Sequence, residues 1–127
     1  MSCENLLIVN HGNENLNVIE FLLRIYERDD ISILCQDCSS YKFKTNIIPP
    51  KPRFIEESLR NPNTNFIVSF FYVKDSHYTI GYFAVQNGKT QQEKIWDSEK
   101  RDENGLSFAV KFVSRFYPLL MKDIFVN

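Results

Sequence analysis

Glycine is scarce in this chain of 127 residues, and its scarcity bears on one class of function. The four glycines are scattered along the sequence, at Gly12, Gly81, Gly88 and Gly105. Loops that bind phosphate through backbone N–H groups need glycines clustered at short spacing. The sequence therefore gives no support to nucleotide hydrolysis, and we expect no cofactor.

Long hydrophobic runs and an excess of charge of one sign are also missing. No apolar run approaches the roughly 20 residues that span a bilayer, and no positively charged region precedes the short apolar cluster at 6–9. The 15 Lys and Arg residues face 16 Asp and Glu residues, without a block of like charge that would bind a phosphate backbone. We therefore expect a soluble, unexported protein that has neither a membrane nor a nucleic acid as its partner.

Cysteine is rare and odd in number, with Cys3, Cys35 and Cys38 as its three positions. A chain long enough to bury a core does not need a disulfide scaffold, and an odd count argues against one. We expect a reducing compartment, the cytoplasm or the nucleus. Cys35 and Cys38 have the spacing of half a zinc site, but Cys3 and His11 are the remaining ligand candidates and their spacing is unlike common zinc modules, so we expect a turn and no metal.

What the sequence does contain is a 43% apolar composition, which suits one globular domain over residues 1–127. An amphipathic pattern at 17–28 begins with Asn17 and Glu20 in capping-box spacing, and predicts a helix. Alternating or continuous apolar patterns predict strands at 31–35, 41–47, 66–73, 77–85 and 91–96, the last two joined by a tight turn at Asn87-Gly88. Helices are predicted at 53–60 and in a closing segment at 106–120, where Pro118 ends the helix near Tyr117. The fold class is α+β, a mostly antiparallel central sheet flanked by helices, with 66–73 as its central strand.

His77 and Asp97 are the residues most suggestive of chemistry. His77 opens one predicted strand and Asp97 closes the next, so a hairpin would bring both side chains to its open end. There a carboxylate can orient an imidazole, as in hydrolases that use a general base. The plainer interpretation is that both residues are polar positions at turns.

At this point the chain resembles a known family. The runs Phe-Ile-Val-Ser-Phe-Phe at 66–71, His-Tyr-Thr-Ile-Gly-Tyr at 77–82 and Ile-Trp-Asp-Ser at 95–98, followed by an amphipathic helix, look like the middle of the Ulp/SENP cysteine proteases and the related adenovirus-type proteases. The resemblance covers roughly residues 65–120. It implies a papain-like fold, His77 as general base and Asp97 as its orienting group.

Two departures from that family change the expected function. Tyr78 stands where the family usually has Trp, and no Gln-rich segment leading to a Cys-Gly pair follows Asp97, so the family's nucleophile is missing. The resemblance therefore implies a non-catalytic protein-interaction module on a degenerate protease scaffold, with a ubiquitin-like modifier as partner.

Two other hypotheses stay open. The first is an active cysteine protease in papain order, with Cys38 as nucleophile (Cys35 as fallback), His77 as base, Asp97 as orienting group and Gln36 in the oxyanion hole. Its difficulty is that the residues after Cys38 read as a strand, whereas papain-type activation places the thiol at a helix N-terminus. The second is a small adaptor or pathogen effector without protease ancestry.

Two tyrosines are the candidate binding residues. Strand alternation places Tyr78 and Tyr82 on one face of the sheet, where they could contact a protein partner or a second copy of the chain in a homodimer. The competing interpretation is that both complete the core.

Overall fold

The computed structural model describes residues 2–10, 16–26, 31–37 and 40–100 and the helical positions 107 and 111, with backbone alone at 33–37 and 100. Within these residues the fold is α+β, with a six-stranded antiparallel sheet in the order β2-β3-β1-β4-β5-β6. The predicted closing helix falls outside the described residues, apart from Ser107 and Lys111, which are helical. The strands are β1 (Ser2–Asn10), β2 (Ile31–Asp37), β3 (Ser40–Thr45), β4 (Asn65–Lys74), β5 (His77–Gln86) and β6 (Lys89–Asp97); the helices are α1 (Val18–Tyr26) and α2 (Lys51–Ser58), and a 3₁₀ turn spans Ser98–Lys100.

The strand β1 corrects the sequence-based layout, which began with a helix and assigned no strand to the apolar cluster at 6–9. β1 lies between β3 and β4 and is among the most enclosed strands of the sheet. Near its centre lies Asn5, a buried polar residue that interrupts the apolar alternation. The predicted central strand is confirmed as β4, which has buried side chains on both faces of the sheet. Phe66 and Val68 are buried on one face and Phe71 on the other.

Both helices pack on one face of the sheet, which we call the helix face. α1 begins where the sequence predicts, because the Glu20 backbone N–H donates to Asn17 Oδ1 at 3.1 Å. α2 carries Pro52 in its first turn and buries Phe54 against the sheet. The resulting core contains Phe21 stacked on Phe66 at 4.5 Å between ring centroids. The opposite side of the sheet, which we call the second face, includes Phe71 and Ile80, both almost fully buried.

Two tight turns join the last three strands. In the β5–β6 turn Asn87 and Gly88 have φ values of 49° and 76°, as the Asn-Gly pair predicts for a type I′ hairpin. The Gly88 N–H donates to the Ser58 hydroxyl at 2.8 Å, and a Cβ at Gly88 would lie 2.5 Å from Leu59 Cδ2. The absence of a side chain at Gly88 therefore lets the turn dock against the end of α2.

The β4–β5 turn holds two non-glycine residues at positive φ, Asp75 at 49° and Ser76 at 69°. A serine in this left-handed conformation is strained, whereas glycine adopts it at no steric cost. We expect Ser76→Gly to raise the free energy of unfolding by about 0.5–1 kcal/mol. Urea denaturation measures the change. Gly88→Ser, which combines backbone strain at the other turn with a clash against Leu59, should destabilise. A loss of stability in Ser76→Gly would contradict the turn assignment.

Candidate functional site

His77 and Asp97 lie at the same end of the β5–β6 hairpin, as the sequence predicts. His77 is the first residue of β5 and Asp97 the last of β6, where it pairs in register with Thr79. Because Thr79 and His77 are two residues apart on one strand, the pleat places His77, Thr79 and Asp97 on the same face of the sheet. This is the helix face, since Thr79 shares its side with the buried Phe83.

The carboxylate that His77 contacts is that of Glu99. His77 Nε2 lies 3.3 Å from Glu99 Oε1, and the two side chains are 56% and 63% exposed. The contacts of His77 with other described residues include no ion pair to Asp97, whose Oδ1 instead accepts the Glu99 backbone N–H at 2.9 Å. Asp97 therefore starts the 3₁₀ turn that carries Glu99 to the imidazole, and the predicted direct pairing of His77 with Asp97 is not among these contacts.

Ser98 closes this end of the hairpin. Its hydroxyl accepts the backbone N–H of Tyr78 at 2.9 Å, which links the start of β5 to the residue just after β6. The sequence did not lead us to expect contacts of Ser98 and Glu99 with the start of β5. The signal was available in the Asp-Ser-Glu run, because aspartate followed by serine favours a turn whose side chains bond to the backbone.

A shallow cavity of about 270 Å³ is formed around His77 at this edge of the sheet. Its side chains include three carboxylates, from Asp75, Asp97 and Glu99, and one ammonium group, from Lys74. The balance of charge is negative, so the cavity favours a cationic group over an anionic one. The complete lining is Tyr72, Lys74, Asp75, His77, Thr79, Asp97 and Glu99.

The thiol of Cys3 lies in the same cross-strand row as Asp97 but is unsuited to nucleophilic attack. Cys3 has no solvent exposure, and its Sγ lies 3.3 Å from Asn5 Oδ1, to which it donates. Burial raises the pKa of the Cys3 thiol to about 12, so the thiol stays protonated at neutral pH. β4 separates β1 from β5, which leaves Cys3 about 10 Å from the strand that carries His77.

The fallback nucleophile Cys35 and the predicted oxyanion residue Gln36 lie on a strand far from His77. Cys35 and Gln36 lie on β2, and three strands separate β2 from β5, about 19 Å across the sheet. Cys38 lies outside the described residues. Its sequence neighbours Asp37 and Ser40 pair with each other at the opposite end of the sheet, about 23 Å along the strand direction from His77.

Tyr78 and Tyr82 both lie on the second face, half-buried, as alternation predicts. The Tyr78 ring contacts Phe71 with 5.7 Å between centroids, and Phe71 is 2% exposed. Tyr78 therefore packs against a buried aromatic side chain of the second face, and both tyrosines remain partly exposed.

Comparisons with known proteins assign no relatives: no family model, curated protein or solved structure matches this chain significantly. Among the described residues, no helix has the length and apolar character needed to cross a membrane. The same residues contain no group of three or more His, Cys, Asp or Glu side chains placed to hold a metal ion.

Proposed function

We propose that this domain is a protein-interaction module on a degenerate cysteine-protease-like scaffold, and that it binds its partner without hydrolysing it. The observation that supports the proposal is the position of the Cys3 thiol, which is fully buried on β1 and separated by β4 from the strand that carries His77. A cysteine protease needs a thiolate within hydrogen-bond reach of its imidazole.

The surroundings of His77 support the same proposal. A general base works best in a site that excludes water, yet the His77 and Glu99 side chains are both more than half exposed. The alternative of an active protease with Cys38, His77 and Asp97 draws no support from the described neighbours of Cys38, which lie at the far corner of the sheet from His77.

The proposed partner is a ubiquitin-like modifier, the class that the resemblance at 66–98 implies. Tyr78 and Tyr82 support a protein partner, because a half-buried tyrosine offers a rigid apolar ring with a polar end to a binding surface. The free thiol of Cys3 is compatible with the proposed cytoplasmic or nuclear setting. The remaining hypothesis, an adaptor or effector without protease ancestry, also predicts binding without hydrolysis. It differs from the proposed function only in the origin of the domain.

The test combines binding with hydrolysis in one preparation. We expect ubiquitin, titrated into the ¹⁵N-labelled protein, to shift amide signals around Tyr78 and Tyr82, and Tyr78→Ser to weaken the binding. We expect no release of fluorophore from ubiquitin carrying a C-terminal coumarin amide. Leu23→Ser, at an exposed apolar position of α1, is the matched control and should bind as the parent protein does.

Two results would contradict the proposal. Fluorophore release that disappears in His77→Ala would establish a protease that uses His77. Absence of both binding and release, repeated with other ubiquitin-like modifiers, would remove this partner class.

A further inference from the structure

Among the described strands, β6 forms one edge of the sheet, and most of its side chains are open to solvent. All seven residues from 89 to 95 are exposed. β5 is the strand that pairs with β6 in the described part of the chain, so alternate residues of β6 direct their N–H and C=O groups away from the sheet. A bulge at the level of Ala84 and Val85 breaks the register near Gln91, and the regular stretch therefore runs from 92 to 97.

Within this stretch, alternation sorts the side chains by chemistry. Glu93, Ile95 and Asp97 share the helix face, because they pair with Phe83, Gly81 and Thr79 on β5. Ile95 is 47% exposed and lies beside Gly81. A Cβ at Gly81 would lie only 2.9 Å from Ile95 Cγ1. The edge thus presents an exposed apolar side chain flanked by two carboxylates.

The charges at this edge indicate which side chains an added strand would need in order to pair with it. Glu93 Oε2 lies 2.6 Å from Lys51 Nζ, in an ion pair that stays about one-third exposed. Asp97 belongs to the negative cavity that also contains Asp75 and Glu99. A strand laid against 93–97 gains favourable cross-strand pairs if Lys or Arg stands opposite each carboxylate and an apolar side chain opposite Ile95.

Three registers in which β6 of a second copy of this chain could pair with the same edge place like charges opposite each other. In a symmetric antiparallel pair, centring on residue 93 or 94 places Glu93 opposite Glu93 or Lys94 opposite Lys94. Centring on Ile95 places Glu93 opposite Asp97 twice. Like charges directly opposite each other destabilise a sheet, so these registers disfavour self-pairing.

We propose that β6 accepts an extended segment of a partner protein as an added antiparallel strand, with alternating basic, apolar and basic residues facing the helix face. The proposal rests on the interaction-module function and names where the partner adds its backbone. The main-chain hydrogen bonds supply affinity, and Glu93, Ile95 and Asp97 supply selectivity.

The test uses a blocked peptide with the core Lys-Thr-Val-Thr-Lys and its charge-reversed twin Glu-Thr-Val-Thr-Glu. We expect the basic peptide to shift the amide signals of 92–97, to slow hydrogen exchange of the outward-facing amides there, and to bind at least about tenfold more tightly than its twin. Ile95→Lys should weaken binding of the basic peptide by a similar factor. The control Leu23→Lys adds the same charge at an exposed apolar position of α1 and should leave the affinity unchanged.

The proposal is overturned by equal binding of the two peptides, by shifts confined to other elements, or by no binding of either peptide. It is also overturned if sedimentation shows a dimer that Ile95→Lys dissociates, since a second copy would then occupy the edge. If ubiquitin binds at Tyr78 and Tyr82 and Ile95→Lys does not change its affinity, the proposal for β6 is wrong. The proposed interaction-module function is not affected by that result.

Discussion

Replacing Phe54 by alanine is expected to lower the free energy of unfolding by about 3–5 kcal/mol. Phe54 is the buried aromatic residue through which α2 meets the sheet, with its ring 5.5 Å from Phe83 and 5.9 Å from Phe21 between centroids. Truncation removes a large apolar side chain and leaves a cavity between α1, α2 and β5 that rigid neighbouring rings fill poorly.

Urea or thermal denaturation measures this change. The control is Leu23→Ala on α1, where the side chain is 53% exposed and the expected change is within about 0.5 kcal/mol. A loss below about 1 kcal/mol in Phe54→Ala would mean that α2 does not pack on the sheet in the way described.

The second large effect is expected at Asn5, the buried amide near the centre of β1. Its Nδ2, which carries two N–H donors, lies within hydrogen-bond distance of three acceptors: the Phe43 carbonyl at 3.2 Å, the Cys3 carbonyl at 3.1 Å and the Thr45 hydroxyl at 3.1 Å. Asn5→Ala removes these hydrogen bonds, leaves buried acceptors without this donor and opens space between β1 and β3. We expect a loss of about 2–4 kcal/mol.

The matched control for this change is Asn63→Ala, because Asn63 is exposed and lies in the connection after α2. It should alter stability by less than about 0.5 kcal/mol. Equal effects of the two alanine substitutions would show that the amide network does not hold β1 to β3.

The parts of the fold that were predictable are those with a strong local pattern. Asn17 and Glu20 mark the start of α1, and Asn87-Gly88 marks the β5–β6 turn, because capping and left-handed turns depend on residues close together in sequence. α2 starts at Lys51, two residues before the predicted start, because Pro52 is accommodated inside its first turn.

β1 was not predictable in the same way. Its apolar positions are interrupted by Asn5, and the hydrogen bonds that make a buried amide acceptable there come from β3, nearly 40 residues later. A strand whose polar centre is satisfied by distant residues does not reveal itself through local periodicity.

The candidate site was predictable in position but not in its pairing. The hairpin dictates that His77 and Asp97 share one end, and they do. The partner of His77 depends on the conformation after β6, where the Asp97 side chain bonds to the Glu99 backbone and brings the Glu99 carboxylate to the imidazole. Such a turn is set by side-chain to backbone hydrogen bonds that strand alternation does not include.

Whether His77 activates any thiol is tested by the rate of iodoacetamide alkylation at each cysteine, measured by mass spectrometry in the parent protein and in His77→Ala. Because burial raises the pKa of the Cys3 thiol to about 12 and shields it from solvent, Cys3 should react far more slowly than an unperturbed cysteine until the protein is unfolded. We expect that no cysteine reacts more slowly in His77→Ala than in the parent protein. A rapidly alkylated cysteine whose rate falls in His77→Ala would reveal a thiol activated by the imidazole, and would contradict a non-catalytic domain.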